Sequence, residues 1–220
     1  MAIKKIQIGE NLLARNDEIA KDNELILRKH RIFSMNFMGG PGCGKTSIIE
    51  KLIPELLAEN IACGVIEGDI AGTFDSERIE KFGIPVVQIN TGGACHLEAL
   101  MIRKGIDNLP VENLKAVIVE NVGNLVCPAE FKLGIECNIT VASITEGEEK
   151  PVKYPLMYSV SDLVILNKID IIHAVDFSQA KFIDFVRKIN QKARIISLSA
   201  KTGENIKDLV DYITGRLQQK

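Results

Sequence analysis

With 220 residues, 46% of them hydrophobic, the chain carries enough apolar material for one large core, and an α/β sheet takes this length without dividing. Lys and Arg number 27 against 29 Asp and Glu, a net charge of −2, which leaves no basic footprint for nonspecific nucleic-acid binding. No long apolar span or export signal stands out, so a cytoplasmic protein that engages neither membrane nor nucleic acid is expected. The five cysteines, an odd number, argue against a disulfide framework.

Residues 8 to 30 have helical spacing, with Ile8, Leu12, Ile19 and Ile26 forming a narrow stripe broken by Arg15, Asn16 and Asn23. This predicts an N-terminal helical extension over 1–30, packed on the edge of a main domain over 31–220 or against a partner. The apolar run Ile32 to Met38 then predicts a buried strand, and Gly39 to Thr46 follow as GGPGCGKT, matching the phosphate-binding pattern GxxxxGK followed by Ser or Thr. Glycines there let consecutive backbone N–H groups turn inward around phosphate oxygens, Lys45 supplies a point charge, and the Thr46 hydroxyl can ligate Mg²⁺. The candidate phosphate-binding residues are Gly39, Gly40, Pro41, Gly42, Cys43, Gly44, Lys45, Thr46 and Ser47. The next segment, SIIEKLIPELLAEN, is helical in spacing and places the loop at a helix N-terminus, where anions are favoured; Pro54 is expected to kink it.

Further strands are expected near 61–67, 84–89, 115–120, 139–144, 162–166 and 194–198, alternating with helical patterns, which implies an α/β fold with a doubly wound, mainly parallel sheet. Asp69 and Asp75 lie in a polar, glycine-containing stretch that can order around Mg²⁺ and a γ-phosphate, although Asp75 also reads as a solvated helix-start residue. Glu120 ends the strand-like KAVIVE and is followed by Gly123, so an acid at a strand's carboxyl edge meets a glycine whose N–H can face the γ-phosphate. Lys45, Asp69, Asp75 and Glu120 are the candidate catalytic residues. Downstream, Asn167-Lys168-Ile169-Asp170 follows an apolar run. A carboxylate in that place accepts from both the ring N–H and the exocyclic amine of guanine, a donor pair adenine lacks. Ser199-Ala200-Lys201, after RIISL, has the place and wording of a loop that closes over guanine.

Cys63 and Cys137 lie in or beside strand-like runs and read as small buried hydrophobes, and the Cys43 side chain is incidental to the phosphate loop. Cys95 and His96 follow the flexible Thr91-Gly92-Gly93-Ala94, while Cys127 is fixed by Pro128 in NVGNLVCP. Consecutive strand residues point to opposite faces, so Cys95 and His96 can share a metal only if the turn breaks that alternation. Two thiolates and an imidazole suit tetrahedral Zn²⁺ or planar Ni²⁺, and spacing does not choose between them.

Taken together, GGPGCGKT, GDIAGTFDSER, NTGGACHLEA, ENVGNLVCP, TEGEEKPVKYP, NKID and LSAKTGE, spread from Gly39 to Glu204, resemble the HypB family, GTPase accessory factors for nickel insertion into nickel–iron hydrogenase. The resemblance implies slow, Mg²⁺-dependent hydrolysis of GTP to GDP and phosphate, with two subunits facing each other across the nucleotide in a GTP-dependent homodimer. It also implies a Ni²⁺ or Zn²⁺ site at the dimer interface, carried over to Cys95, His96 and Cys127. Asp69, Asp75 and Glu120 become Mg²⁺-shell or water-positioning residues. The implied partners are the hydrogenase large subunit and a second, HypA-like nickel-delivery protein. The chain departs from some members: it has no cysteine before Cys43 and only His30, His96 and His173, so nickel storage by a terminal CxxCGC or histidine-rich tract is not expected. Lys153 is a candidate for reaching phosphates, and no arginine finger can be assigned. A UreG-type urease nickel GTPase, a small-molecule kinase and a noncatalytic GTP-dependent scaffold are the alternatives.

Overall fold

The computed structural model describes residues 8–70 and 74–219, with the side chains of 8–12, 74, 75 and 77 outside the described set. In chain order, helix α1 (Ile8–Lys29) precedes β1 (Phe33–Gly39), α2 (Lys45–Ala58), β2 (Cys63–Asp69), α3 (Phe74–Glu80), β3 (Val86–Asn90) and α4 (Ala99–Asp107). Then come β4 (Ala116–Glu120), β5 (Cys137–Ser143), the short α5 (Lys150–Lys153) and α6 (Pro155–Ser159), β6 (Leu163–Asn167), α7 (Gln179–Ile189), β7 (Arg194–Ser197) and α8 (Ile206–Leu217). Seven strands, ordered β3-β2-β4-β1-β5-β6-β7, pair in parallel throughout. Each expected strand is present within about two residues, the usual boundary scatter.

The central strands are near-continuous apolar runs because helices cover both faces of the sheet. Alternation sorts the residues: Phe33, Met35, Phe37, Val65 and Ile118 face one core with Ile48, Ile49 and Leu52 of α2. On the opposite face, Ile66, Val117 and Val119 meet Ile102 and Ile106 of α4, and Val164 and Leu166 meet Phe182 and Val186 of α7. Pro54 does not break α2. The lost ladder bond and ring clash cost about 3 kcal/mol, whereas burying Ile48, Ile49, Leu52, Ile53 and Leu56 contributes about 1.5–3 kcal/mol each.

Helix α1 lies against α4, and the residues that interrupt its apolar stripe are the ones that fasten it. The Asn16 amide donates to the Lys132 carbonyl, and its oxygen accepts the Ala99 N–H, an end-of-helix donor that α4 cannot satisfy itself, each at 2.8 Å. Asn23 is fully buried, donates to the carbonyls of Ala99 and Leu133, and accepts from Arg103 Nε. Each such buried bond is worth about 1 kcal/mol net, and leaving its partner unpaired costs about 1–3 kcal/mol.

Candidate nucleotide and metal site

Strand β1 sits between β4 and β5, where the chain's connections change direction across the sheet, and its carboxyl end opens into the phosphate loop. Gly44 adopts φ 101° immediately before α2, and a Cβ there would overlap the Asn167 amide, so glycine is required on two counts. Lys45 and Thr46 are buried in the first turn of α2. Thr46 Oγ1 donates to Glu120 Oε1 at 2.8 Å, so the hydroxyl and the carboxylate named from sequence stand side by side.

Glu67, which the sequence reading did not single out, is in register with Glu120 across the β2–β4 pair; the two are only 2% and 4% exposed. A carboxylate in the middle of the apolar run CGVIEGD was the available signal. Asp69 comes two residues later, on the same side by alternation, and its Oδ1 accepts the Ile70 N–H at 2.6 Å. Asp75 falls in the first turn of α3, and its side chain lies outside the described set, as do residues 71–73. Hydroxyl and carboxylate oxygens gathered beside a phosphate loop are hard donors that fit Mg²⁺. Arg78 forks onto Glu50, with Nη2 3.5 Å from Ser47 Oγ, and Lys153 pairs with Glu149 at 2.8 Å.

At the other end of the loop, Asn167 acts as a strut. Its Nδ2 donates to the Cys43 carbonyl at 2.9 Å, and its Oδ1 accepts from the N–H groups of Lys168 and Ala200. Lys168 Nζ donates to the Gly42 carbonyl, and Ser199 Oγ donates to Asp170 Oδ1 at 2.6 Å. Asn167, Lys168, Asp170 and Ala200 line a cavity of about 430 Å³ with Gly44, Ser47 and Lys201. Asn167 is thus spent on joining the phosphate loop to the Ser199–Lys201 loop, and Asp170 lines the cavity between them.

Beyond β4, Gly123 passes over the phosphate loop so closely that a Cβ would stand 3.1 Å from Pro41 Cα. The chain then reaches Cys127, which meets Cys95 with the sulfurs 2.9 Å apart. Positive φ angles at Gly92 and Gly93 end strand alternation after β3, so Cys95 and His96 lie on one side, with His96 Nδ1 3.7 Å from Cys95 Sγ. The three candidate ligand atoms lie within 4.8 Å of one another, all half-buried. The His96 ring stacks on Phe131 at 3.9 Å, and its Nε2 is 3.7 Å from a Glu98 carboxylate oxygen. Burial pulls the imidazole below its ordinary pKa, opposed by Glu98 and Glu130, which favours the neutral form that binds metals. The Cys127 thiol is held above the usual range, first by its hydrogen bond with Cys95. Cys43, Cys63 and Cys137 are fully buried, and desolvation pushes them up to about 11, 11 and 12; they remain thiols in the core.

Residues 34–197 match the CobW/HypB/UreG nucleotide-binding domain family. The chain is 40% identical over 201 residues to the hydrogenase maturation factor HypB of Rhizobium leguminosarum bv. viciae, covering 91% of this chain and 67% of that one. It is 39% identical over 209 residues to the probable hydrogenase maturation factor HypB of Methanocaldococcus jannaschii, covering 94% of each. Among solved structures, HypB from Helicobacter pylori in complex with nickel superposes with a TM-score of 0.89 at 34% identity, over 93% of this chain and 96% of that one.

Proposed function

The chain belongs to the HypB hydrogenase maturation factors of the CobW/HypB/UreG family, and from that premise we propose that it is a slow GTPase whose nucleotide state governs nickel delivery to nickel–iron hydrogenase. The observation that carries this reading is Gly123, packed against Pro41 of the phosphate loop and only four residues from Cys127 of the thiol–imidazole cluster. One short segment touches both sites.

In this reading, backbone N–H groups of Gly39 to Thr46 surround the phosphates, Lys45 adds its charge, and Asp170 accepts from the two guanine donors. Thr46, Asp69, Asp75 and Glu120 would hold Mg²⁺, which neutralises charge on the β- and γ-phosphate oxygens. The buried carboxylate Glu67 supports that cluster from the neighbouring strand. A water oxygen bonds to the γ-phosphorus as its bond to the β–γ bridging oxygen breaks, giving GDP and phosphate, which takes up the water's proton. Slow turnover fits the commitment of two further cations away from the phosphates, Arg78 to Glu50 and Lys153 to Glu149. Loss of the γ-phosphate shifts Gly123, and with it the ligand Cys127.

Two thiolates and one imidazole leave coordination positions for a second subunit, so a GTP-dependent homodimer completes the nickel or zinc site. Delivery then runs in the cytoplasm between a HypA-like accessory protein and the hydrogenase large subunit. Among the described residues no helix is long and apolar enough to cross a membrane.

The test is titration of Ni²⁺ and Zn²⁺ into the chain loaded with GTP analogue or GDP, alongside elution volume. Affinities differing by about 5–150-fold between states, with a dimer in the GTP state, are expected. Cys127→Ala should abolish the tight metal isotherm while GTP still binds. Equal metal affinities in the two states would sink the coupling, even if both ligands bound.

A further inference from the structure

Asn124 touches the phosphate loop with its backbone and the metal cluster with its side chain. Its N–H donates to the Gly39 carbonyl at 3.1 Å, an isolated antiparallel bridge joining the segment after β4 to the first residue of the phosphate loop. Its Nδ2 donates to the Cys95 carbonyl at 3.4 Å. Its Oδ1 accepts the Val126 N–H at 2.9 Å, which sets the turn that presents Cys127.

We propose that Asn124 is the positioning residue that transmits nucleotide state to the metal cluster, its backbone following the phosphate loop and its amide carrying that movement to both cysteine-bearing turns. This inference rests on the coupled reading above and names the part that performs the coupling.

A contrast with Asn121 supports it. Asn121 is buried and fixed to the sheet: its amide donates to Asn36 Oδ1 on β1, and its oxygen accepts the N–H groups of Val122 and Leu97. The turn bearing Cys95 and His96 is therefore pinned at its far end, Leu97, to Asn121, which is itself bonded to Asn36 in the middle of β1. Its near end, the Cys95 carbonyl, is tied to Asn124, which lies beyond Gly123 on the segment that overlies Pro41. A turn held at one fixed and one movable point pivots when the movable point shifts. The bond doing this is long, 3.4 Å, so a displacement of a few tenths of an ångström makes or breaks it. The sulfurs stand 2.9 Å apart, so a pivot of that size alters the distance that sets their bite on a metal.

Two substitutions separate the contributions. Asn124→Ala keeps the backbone bridge and removes both side-chain bonds. Asn124→Asp keeps the size and the acceptor for Val126 but loses the donor to Cys95. The full chain and both variants are titrated with Ni²⁺ and with Zn²⁺ in the GTP-analogue and GDP states, and the ratio of the two affinities is the readout. The added charge in Asn124→Asp acts on both affinities, so the uncharged Asn124→Ala carries the decision on the role of Asn124, while thermal melting with GDP bound reports folding.

Wild type should give a ratio of about 5–150, and both variants a ratio within about twofold of one, with the metal still bound. Reciprocity supplies a second check: the GTP-over-GDP preference should respond to metal in wild type by the same factor and lose that response in the variants. A wild-type ratio of one overturns the coupled reading itself. A coupled wild type with an equally coupled Asn124→Ala overturns the role of Asn124 and leaves the coupled reading standing. Coupling retained in Asn124→Asp but lost in Asn124→Ala overturns the Cys95 contact as the link.

Discussion

The proposed base-binding end and the proposed metal-holding end hang from the same sheet edge, yet they are built differently. At the base-binding end, one buried amide, Asn167, joins the phosphate loop, the Lys168 turn and the Ser199–Lys201 loop through bonds of 2.7–3.1 Å, and Ser199 fixes Asp170 at 2.6 Å. At the metal-holding end, the Cys95 carbonyl is held at 3.4 Å, His96 sits 3.7 Å from both Cys95 and Glu98, and the neighbouring Val126 is exposed. On the proposed function, a site that recognises one base in every state is made from bonds the fold itself needs. On the same reading, a site that accepts and releases cargo is held by longer contacts, which a ligand favouring one state by a few kcal/mol can rearrange.

Removing the strut breaks this contrast most severely. Asn167→Ala deletes three buried bonds and leaves the Cys43 carbonyl and two N–H groups without their partner, so a loss of about 3 kcal/mol in denaturant unfolding is expected, together with loss of nucleotide binding. A variant that unfolded at the wild-type midpoint would mean the base-binding end is not part of the fold's own scaffold. Asp170→Asn is gentler and sharper: the pocket and the Ser199 contact persist, but the acceptor for guanine's two donors is replaced in part by a donor. GTP affinity should fall by about 1–3 kcal/mol, with preference moving toward xanthine nucleotides. Undiminished GTP affinity in competition with ATP would remove Asp170 from base recognition.

The two ends also differed in how far sequence could reach them. The phosphate loop, NKID and the parallel sheet were legible because each is written in consecutive residues: glycines that permit one backbone path, and apolar runs of strand length bounded by turns. The strut role of Asn167 was not, because two of its three partners are 33 and 124 positions away and only the folded sheet brings them together. Asn16 and Asn23 read as flaws in an amphipathic stripe for the same reason; their partners lie between 76 and 116 positions distant. Glu67 is a single carboxylate without a spacing pattern, and its pairing with Glu120 exists only once β2 and β4 are in register. Cys95, His96 and Cys127 were legible as residue types, but the question of whether two neighbours could face one ion needed the glycine turn's φ angles.

The smallest expected effect probes how the metal end is held in place. Phe131 follows Cys127 by four residues and lies almost parallel to His96, 3.9 Å between ring centres and 23° between planes, so the loop that carries one candidate ligand also supplies the wall that orients another. Stacking of this kind is worth about 0.5–1.5 kcal/mol. Phe131→Ala frees the imidazole to turn about its Cβ–Cγ bond, which swings Nδ1 away from Cys95 and Nε2 away from Glu98 and puts ring carbons in their places. Metal affinity should therefore fall by about two- to twelvefold, the same energy expressed as a ratio, while the Cys95–Cys127 pair still binds. Phe131→Leu, which keeps a bulky wall without the flat face, should recover part of the loss. Because the stacking partner lies outside the Gly39–Asn124 bridge, the ratio of affinities between GTP-analogue and GDP states should stay at the wild-type value even as both affinities drop. Titration of Ni²⁺ in the two states reads both quantities at once. If the ratio collapsed along with the affinity, ligand orientation and nucleotide coupling would share one mechanical element, and the division between a holding ring and a transmitting amide would be wrong.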